Sequence, residues 1–75
     1  MQIHIGSIIR DEMRRQGYTN EWLAERINTS SRNVQRIYNK YSLDTQLLLN
    51  ISIALHTDFF RYYQKTFSTA TDVVI

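Results

Sequence analysis

The apolar residues between Leu23 and Ile37 leave this chain few ways to fold. Leu23, Ala24 and Ile27 recur at helical spacing, and Val34 and Ile37 resume that spacing after a gap. The gap, Asn28-Thr29-Ser30, contains no large apolar residue. This spacing predicts two short helices held against each other at a steep angle across a tight turn. On the second helix Ser31, Arg32, Asn33, Gln35 and Arg36 are left facing outward. All five can hydrogen-bond and none is acidic. Such a face is what reading base edges in a DNA groove requires.

Seventy-five residues allow one small domain, and a chain of that size buries roughly 60% of the surface it exposes when unfolded. A hydrophobic content of 43% is enough for a core and argues against disorder. With no cysteine there is neither a disulfide framework nor a thiolate zinc site, and with no proline no helix is interrupted by ring sterics. No apolar run approaches the ~18 residues of a membrane span, and Met1 to Gly6 lack a signal-peptide layout, so a cytoplasmic protein without a membrane partner is expected. The net charge of +2 says little, but its distribution says more. From Arg26 to Leu43 there are four basic residues (Arg26, Arg32, Arg36, Lys40) and no acidic one. Arg32, Arg36 and Lys40 fall at i, i+4 and i+8, one stripe of a continuing helix. A merely solvated basic face fits the same stripe.

Five helices are expected, making the chain all-α. The first spans about Ile5 to Gln16, with Ile5, Ile8, Ile9 and Met13 inward, Gly17 at its C-cap and an Asp11–Arg15 pair outside. Thr19 offers a hydroxyl to cap the second, and Glu21 suits its first turn. Trp22 is expected to lean onto the first helix with Arg26 across its ring; a ligand or partner contact is the alternative. Asn28 tolerates the positive φ of a sharp turn. Ser30 should cap the third helix, about Ser31 to Tyr38, and Ser42 the fourth, whose broad stripe runs from Leu43 to Leu55. Thr57 or Asp58 should open a short last helix carrying Phe59, Phe60, Tyr62 and Tyr63. From about Lys65 the residues turn β-branched and small, a poor helix and too short for an independent sheet.

The run Leu23-Ala24-Glu25-Arg26-Ile27-Asn28-Thr29-Ser30-Ser31-Arg32-Asn33-Val34-Gln35-Arg36-Ile37 resembles the signature of the lambda-repressor-like helix-turn-helix regulators, the XRE family. The likeness covers roughly residues 5 to 63, within a domain of residues 1–64 followed by a tail, 65–75. Small Ala24 has a physical reason, because two helices approach closely there. Two positions depart from the pattern: Asn28 stands where the family has glycine, and Thr29 where it has an apolar residue. Asn can adopt the same backbone and Thr keeps one methyl for packing. The wider pattern, Ile3-His4-Ile5-Gly6 through Asp58-Phe59-Phe60, is similar to small members from Bacteroides-type bacteria.

The resemblance implies a DNA-binding transcription regulator whose partner is double-stranded DNA. It gives Ser31, Arg32, Asn33, Gln35 and Arg36 the base-reading role, with Arg donating to guanine and Gln or Asn pairing with adenine. It gives Asn20, Lys40, Tyr41 and Ser42 the role of holding phosphates, which fixes register without carrying sequence. The aromatic cluster Phe59, Phe60, Tyr62, Tyr63 and Phe67 exceeds what docking a short helix requires, and Phe59, Phe60, Tyr63 and Phe67 are its candidate dimer contacts. Either they close the core, or an exposed remainder with Val73-Val74-Ile75 forms a homodimer contact.

His4 and His56 lack neighbouring carboxylates at ligand spacing, so no metal site is expected and surface or capping roles are. Ser30 and Ser31 have no histidine nearby to activate them. Asp44 and Asp58 suit helix starts better than catalysis, so neither an enzyme nor a cofactor is expected. The rival reading is a protein-interaction module or antitoxin-like partner that binds through the aromatic C-terminal surface.

Overall fold

The computed structural model describes residues 2–74, with side chains for 2–71. Among them it forms five helices and no strand: α1 Ile5–Gln16, α2 Asn20–Arg26, α3 Ser31–Tyr38, α4 Thr45–Leu55 and α5 Phe60–Val74. The all-α class expected from the periodicity is the one observed. No helix is long and apolar enough to cross a membrane among the described residues.

Local hydrogen bonding sets most of the helix ends. His4 Nδ1 accepts from the Ser7 amide, Thr19 Oγ1 from that of Trp22 and Ser30 Oγ from that of Asn33, each at 3.1 Å. Ser42 does not cap α4. The Asp44 carboxylate does, accepting from the Leu47 amide at 2.8 Å; its charge also suits the positive end of the helix. At their C-termini α1, α2 and α4 end alike. A left-handed residue follows each (Gly17 φ 78°, Asn28 φ 57°, His56 φ 50°). The next amide reaches back to the helix: Tyr18 to the Met13 carbonyl, Thr29 to Ala24 and Thr57 to Ser52. These are Schellman closures, and they let the chain reverse after a few residues. Asparagine and histidine are among the non-glycine residues most tolerant of that conformation.

The core is one cluster drawn from α1 to α4 and from the residue before α5. Ile5, Ile9, Met13, Leu23, Ala24, Val34, Ile37, Leu48, Ile51, Leu55 and Phe59 are all buried. Each large member contributes about 1.5–3 kcal/mol by leaving water. α1 is joined to the end of α3 by backbone as well. The Gly6 amide donates to the Lys40 carbonyl at 2.9 Å and that of Ile5 to the Tyr41 carbonyl at 3.3 Å, so two orphan donors of the first turn are met. Only glycine permits this approach. A Cβ on residue 6 would lie 2.3, 2.6 and 2.7 Å from the carbonyl oxygens of Ile37, Tyr38 and Lys40.

Two further local expectations are corrected. Arg15 pairs with Glu12, not Asp11, through its Nε and Nη2, while Asp11 lies 3.7 Å from Arg10. Glu12 has the further advantage of the Gln16 amide, which also donates to the Leu55 carbonyl at 3.0 Å and joins α1 to α4. The second correction concerns residues 65–74, read as a poor helix: they continue α5. With neither proline nor glycine to stop the chain, the threonine hydroxyls bond back along the helix. Thr66 donates to the Tyr62 carbonyl, Thr69 to Lys65 and Thr71 to Phe67, at 2.9–3.0 Å. The molecule is accordingly elongated, 45 × 21 × 20 Å. Its radius of gyration, 13.3 Å, exceeds the about 11 Å of a compact chain of this length.

Candidate nucleic-acid interface

α2 and α3 pack on each other through Leu23, Ala24, Val34 and Ile37, each no more than 5% exposed. Burying Val34 and Ile37 fixes the rotation of α3, and helical geometry then decides what faces water. Arg32, Gln35 and Arg36 are exposed, and Ser31 and Asn33 are half-buried. Neither arginine takes part in an ion pair among the described residues, so both guanidinium groups are left to an external acceptor. Asn33 is more constrained, since its amide nitrogen donates to Thr29 Oγ1 at 2.9 Å while its backbone amide is held by Ser30. Thr29 thus anchors the third residue of α3 from the turn.

The residues expected to hold phosphates flank this face. Asn20 is the first residue of α2, and its Oδ1 accepts from the Tyr38 hydroxyl at 2.8 Å. That bond ties the start of α2 to the end of α3 and leaves the carboxamide nitrogen to donate elsewhere. Burial pushes the Tyr38 hydroxyl above its ordinary range, with the Arg14 charge pulling the other way, so it stays a donor at neutral pH. Lys40, Tyr41 and Ser42 are exposed beyond α3. The ring of Tyr41 packs against His4 at 4.2 Å between centroids, and the backbone of residues 40–41 is held by α1.

Trp22 lies half-buried between two partners. Tyr18 stacks on it at 3.6 Å, nearly parallel, and the Arg26 guanidinium sits 4.1 Å from its ring centroid, as its spacing implied. Of the four residues expected at a dimer contact, Phe59 must be withdrawn. It is fully buried, because it precedes α5 and plugs the base of the core. Phe60 is half-buried, whereas Tyr63 and Phe67 are 36% and 67% exposed on successive turns of one face of α5. Val73-Val74-Ile75, expected to extend that surface, lies outside the residues whose side chains are described.

Sequence reasoning missed two things here. Ile53 on α4 is 63% exposed, beside a shallow hollow lined by Arg26, Asn50, Ala54 and His56. Arg10, Arg14 and Tyr38 also converge near Asn20. The arginines' i, i+4 spacing was visible in the sequence, but nothing local places them near α3. No cluster of three or more His, Cys, Asp or Glu residues could hold a metal ion among the described residues. Compared with protein-family models, curated proteins and solved structures, the chain matches none.

Proposed function

We propose that this chain is a lambda-repressor-like helix-turn-helix regulator of the XRE kind, which binds specific DNA sequences by laying α3 in the major groove. The observation that carries the reading is the division of α3. Val34 and Ile37 are buried against α2, while Arg32, Gln35 and Arg36 are exposed, free of ion pairs and without an acidic neighbour on their helix. A bidentate contact from either arginine to guanine is worth about 1–3 kcal/mol of discrimination. Asn20, Lys40, Tyr41 and Ser42 are the backbone contacts. Paired through Tyr63 and Phe67 of α5, two copies would offer their α3 helices to half-sites roughly 34 Å apart.

Selection of bound sites from a random oligonucleotide pool tests this. Inverted half-sites are the expected product; a pool without enrichment refutes it. On a selected site Arg32→Ala and Arg36→Ala should each weaken specific binding by about 1–3 kcal/mol, while Lys40→Ala weakens binding to all sequences alike. Unchanged affinity in both arginine variants would refute the assignment of α3.

The exposure of Phe67 supports a second reading, a protein-interaction module or antitoxin-like partner binding through α5. Salt separates the two. Duplex binding weakens with a log–log slope of about −0.9 per neutralised phosphate, whereas an aromatic interface responds little.

A further inference from the structure

A hollow of about 330 Å³ opens between α1, the start of α2 and the end of α3. Arg10 and Arg14 stand on successive turns of α1 with Met13 between them, and Tyr18, Asn20 and Tyr38 complete the wall. No carboxylate lines it. The Nε of Arg10 is closed off from solvent and has no hydrogen-bond acceptor in the protein. Its nearest carboxylate oxygen, on Asp11, is 3.7 Å away, too far for a hydrogen bond, and Asp11 is exposed outside the hollow. An unpaired donor is rare in native proteins, and this one sits on a side chain that solvent still reaches, 39% exposed. Asn20 contributes a second donor, because its oxygen is already engaged by Tyr38. Ser31, Gln35 and Tyr38 follow at i, i+4 and i+7, so the hollow closes the end of the flank of α3 that carries Gln35.

We propose that this hollow is an oxyanion site that takes one phosphate group, with the guanidinium groups of Arg10 and Arg14 and the carboxamide of Asn20 as donors. Two arginines and an amide, with no carboxylate in the wall and Asp11 pairing with Arg10 only at 3.7 Å from outside it, match the charge of a phosphate better than any neutral ligand. The source of the phosphate rests on the DNA reading of α3. On that reading it belongs to the duplex backbone, and α1 extends the footprint beyond the residues the helix-turn-helix pattern supplies. A free phosphorylated small molecule would meet the same donors.

Two arms of one experiment separate these sources. In the first, inorganic phosphate is titrated into the isotope-labelled chain at constant ionic strength, and the Arg10 Nε–H resonance is followed by NMR. Trp22 fluorescence gives a second signal, since Tyr18 both lines the hollow and stacks on that ring. A saturable shift is expected, and Asn20→Asp, which keeps the acceptor for Tyr38 but adds a negative charge, should abolish it. In the second arm, the salt dependence of binding to random-sequence duplex is compared for the wild type and R10Q/R14Q, after thermal unfolding has established that the variant folds. The slope should fall by about 0.9, one phosphate contact, with the same fold-loss on every sequence. Either response upholds the site; a phosphate shift without a slope change assigns it to a free ligand. Neither response overturns it. Should the wild type bind no duplex at all, the DNA reading fails by itself and the phosphate titration still decides the hollow.

Discussion

Replacing Gly6 with alanine adds one methyl group, and the structure says where that group must go. The new Cβ would stand 2.3 Å from the Ile37 carbonyl oxygen, with those of Tyr38 and Lys40 at 2.6 and 2.7 Å. The shortest of these is about 0.7 Å inside the 3.0 Å below which Cβ atoms are essentially never found. The obstacles are backbone oxygens at the end of a helix, which no rotamer change can move aside. α1 must therefore retreat from α3, stretching the Gly6–Lys40 and Ile5–Tyr41 hydrogen bonds. Overpacking costs about 1–3 kcal/mol and a lost backbone hydrogen bond about 1 kcal/mol. Alanine's better helix propensity returns at most about 1 kcal/mol. The net loss is about 1–3 kcal/mol, and for a domain of this size each kcal/mol lowers the unfolding midpoint by about 4–8 °C. Thermal unfolding followed by circular dichroism measures it, with Gly17→Ala as the comparison, where φ is 78° and nothing lies within 4 Å of the added methyl. A G6A midpoint within about 3 °C of the wild type would mean that α1 and α3 do not approach as described.

The turn before α3 gives a second test. Asn28→Val places a β-branched residue at φ 57° on an exposed site and should cost about 1–2 kcal/mol, whereas Asn28→Gly should stay within about 0.5 kcal/mol of the wild type; equal urea midpoints for the two would contradict the left-handed assignment. A third concerns acid. The hydrogen bond from Arg15, then that from Gln16, holds the Glu12 carboxyl below its ordinary 4.5. Its stabilising effect is therefore complete above 4.5 and is lost as pH falls through the lower folded-state value. Urea midpoints of the wild type and Glu12→Gln should differ modestly at pH 7, since Arg15 is exposed and screened, and converge on acidification; a gap that widens would reverse the sign. Finally, backbone amides of residues 66–71 should exchange hydrogen far faster than those of α1 and α4 in dilute solution, because an isolated helical stretch under ~12–15 residues is marginal in water. Core-like protection in a demonstrated monomer would refute this, while protection that rises with concentration would accord with pairing through Phe67.

Much of the local structure was legible in the residues themselves. Thr19 and Ser30 cap the helices that follow them, Gly17 and Asn28 turn left-handed where the apolar periodicity breaks, and α3 spans the residues its spacing marked out. The outward position of Arg32, Gln35 and Arg36 follows from Val34 and Ile37 being buried, which the pattern already implied. Errors arose where two local signals competed. Ser42 and Asp44 could each cap α4, and Asp11 and Glu12 could each reach Arg15. Threonine's low helix propensity did not end α5, where no proline or glycine stops the chain and the hydroxyls of Thr66, Thr69 and Thr71 find carbonyls four residues back.

Periodicity and capping act over four residues or fewer, so the sequence by itself determined five helices, their turns and the polar face of α3. It could not say how distant turns meet. Gly6 reads as an ordinary helix residue until the carbonyls at the end of α3 arrive above it, and Phe59 fits core or dimer contact alike until the core closes over it. Arg10, Arg14, Asn20 and Tyr38 come from three helices, and only the packing of α1 across α2 and α3 makes them neighbours. Those placements depend on filling a shared volume without clashes, a condition on the whole chain that no short stretch of residues carries.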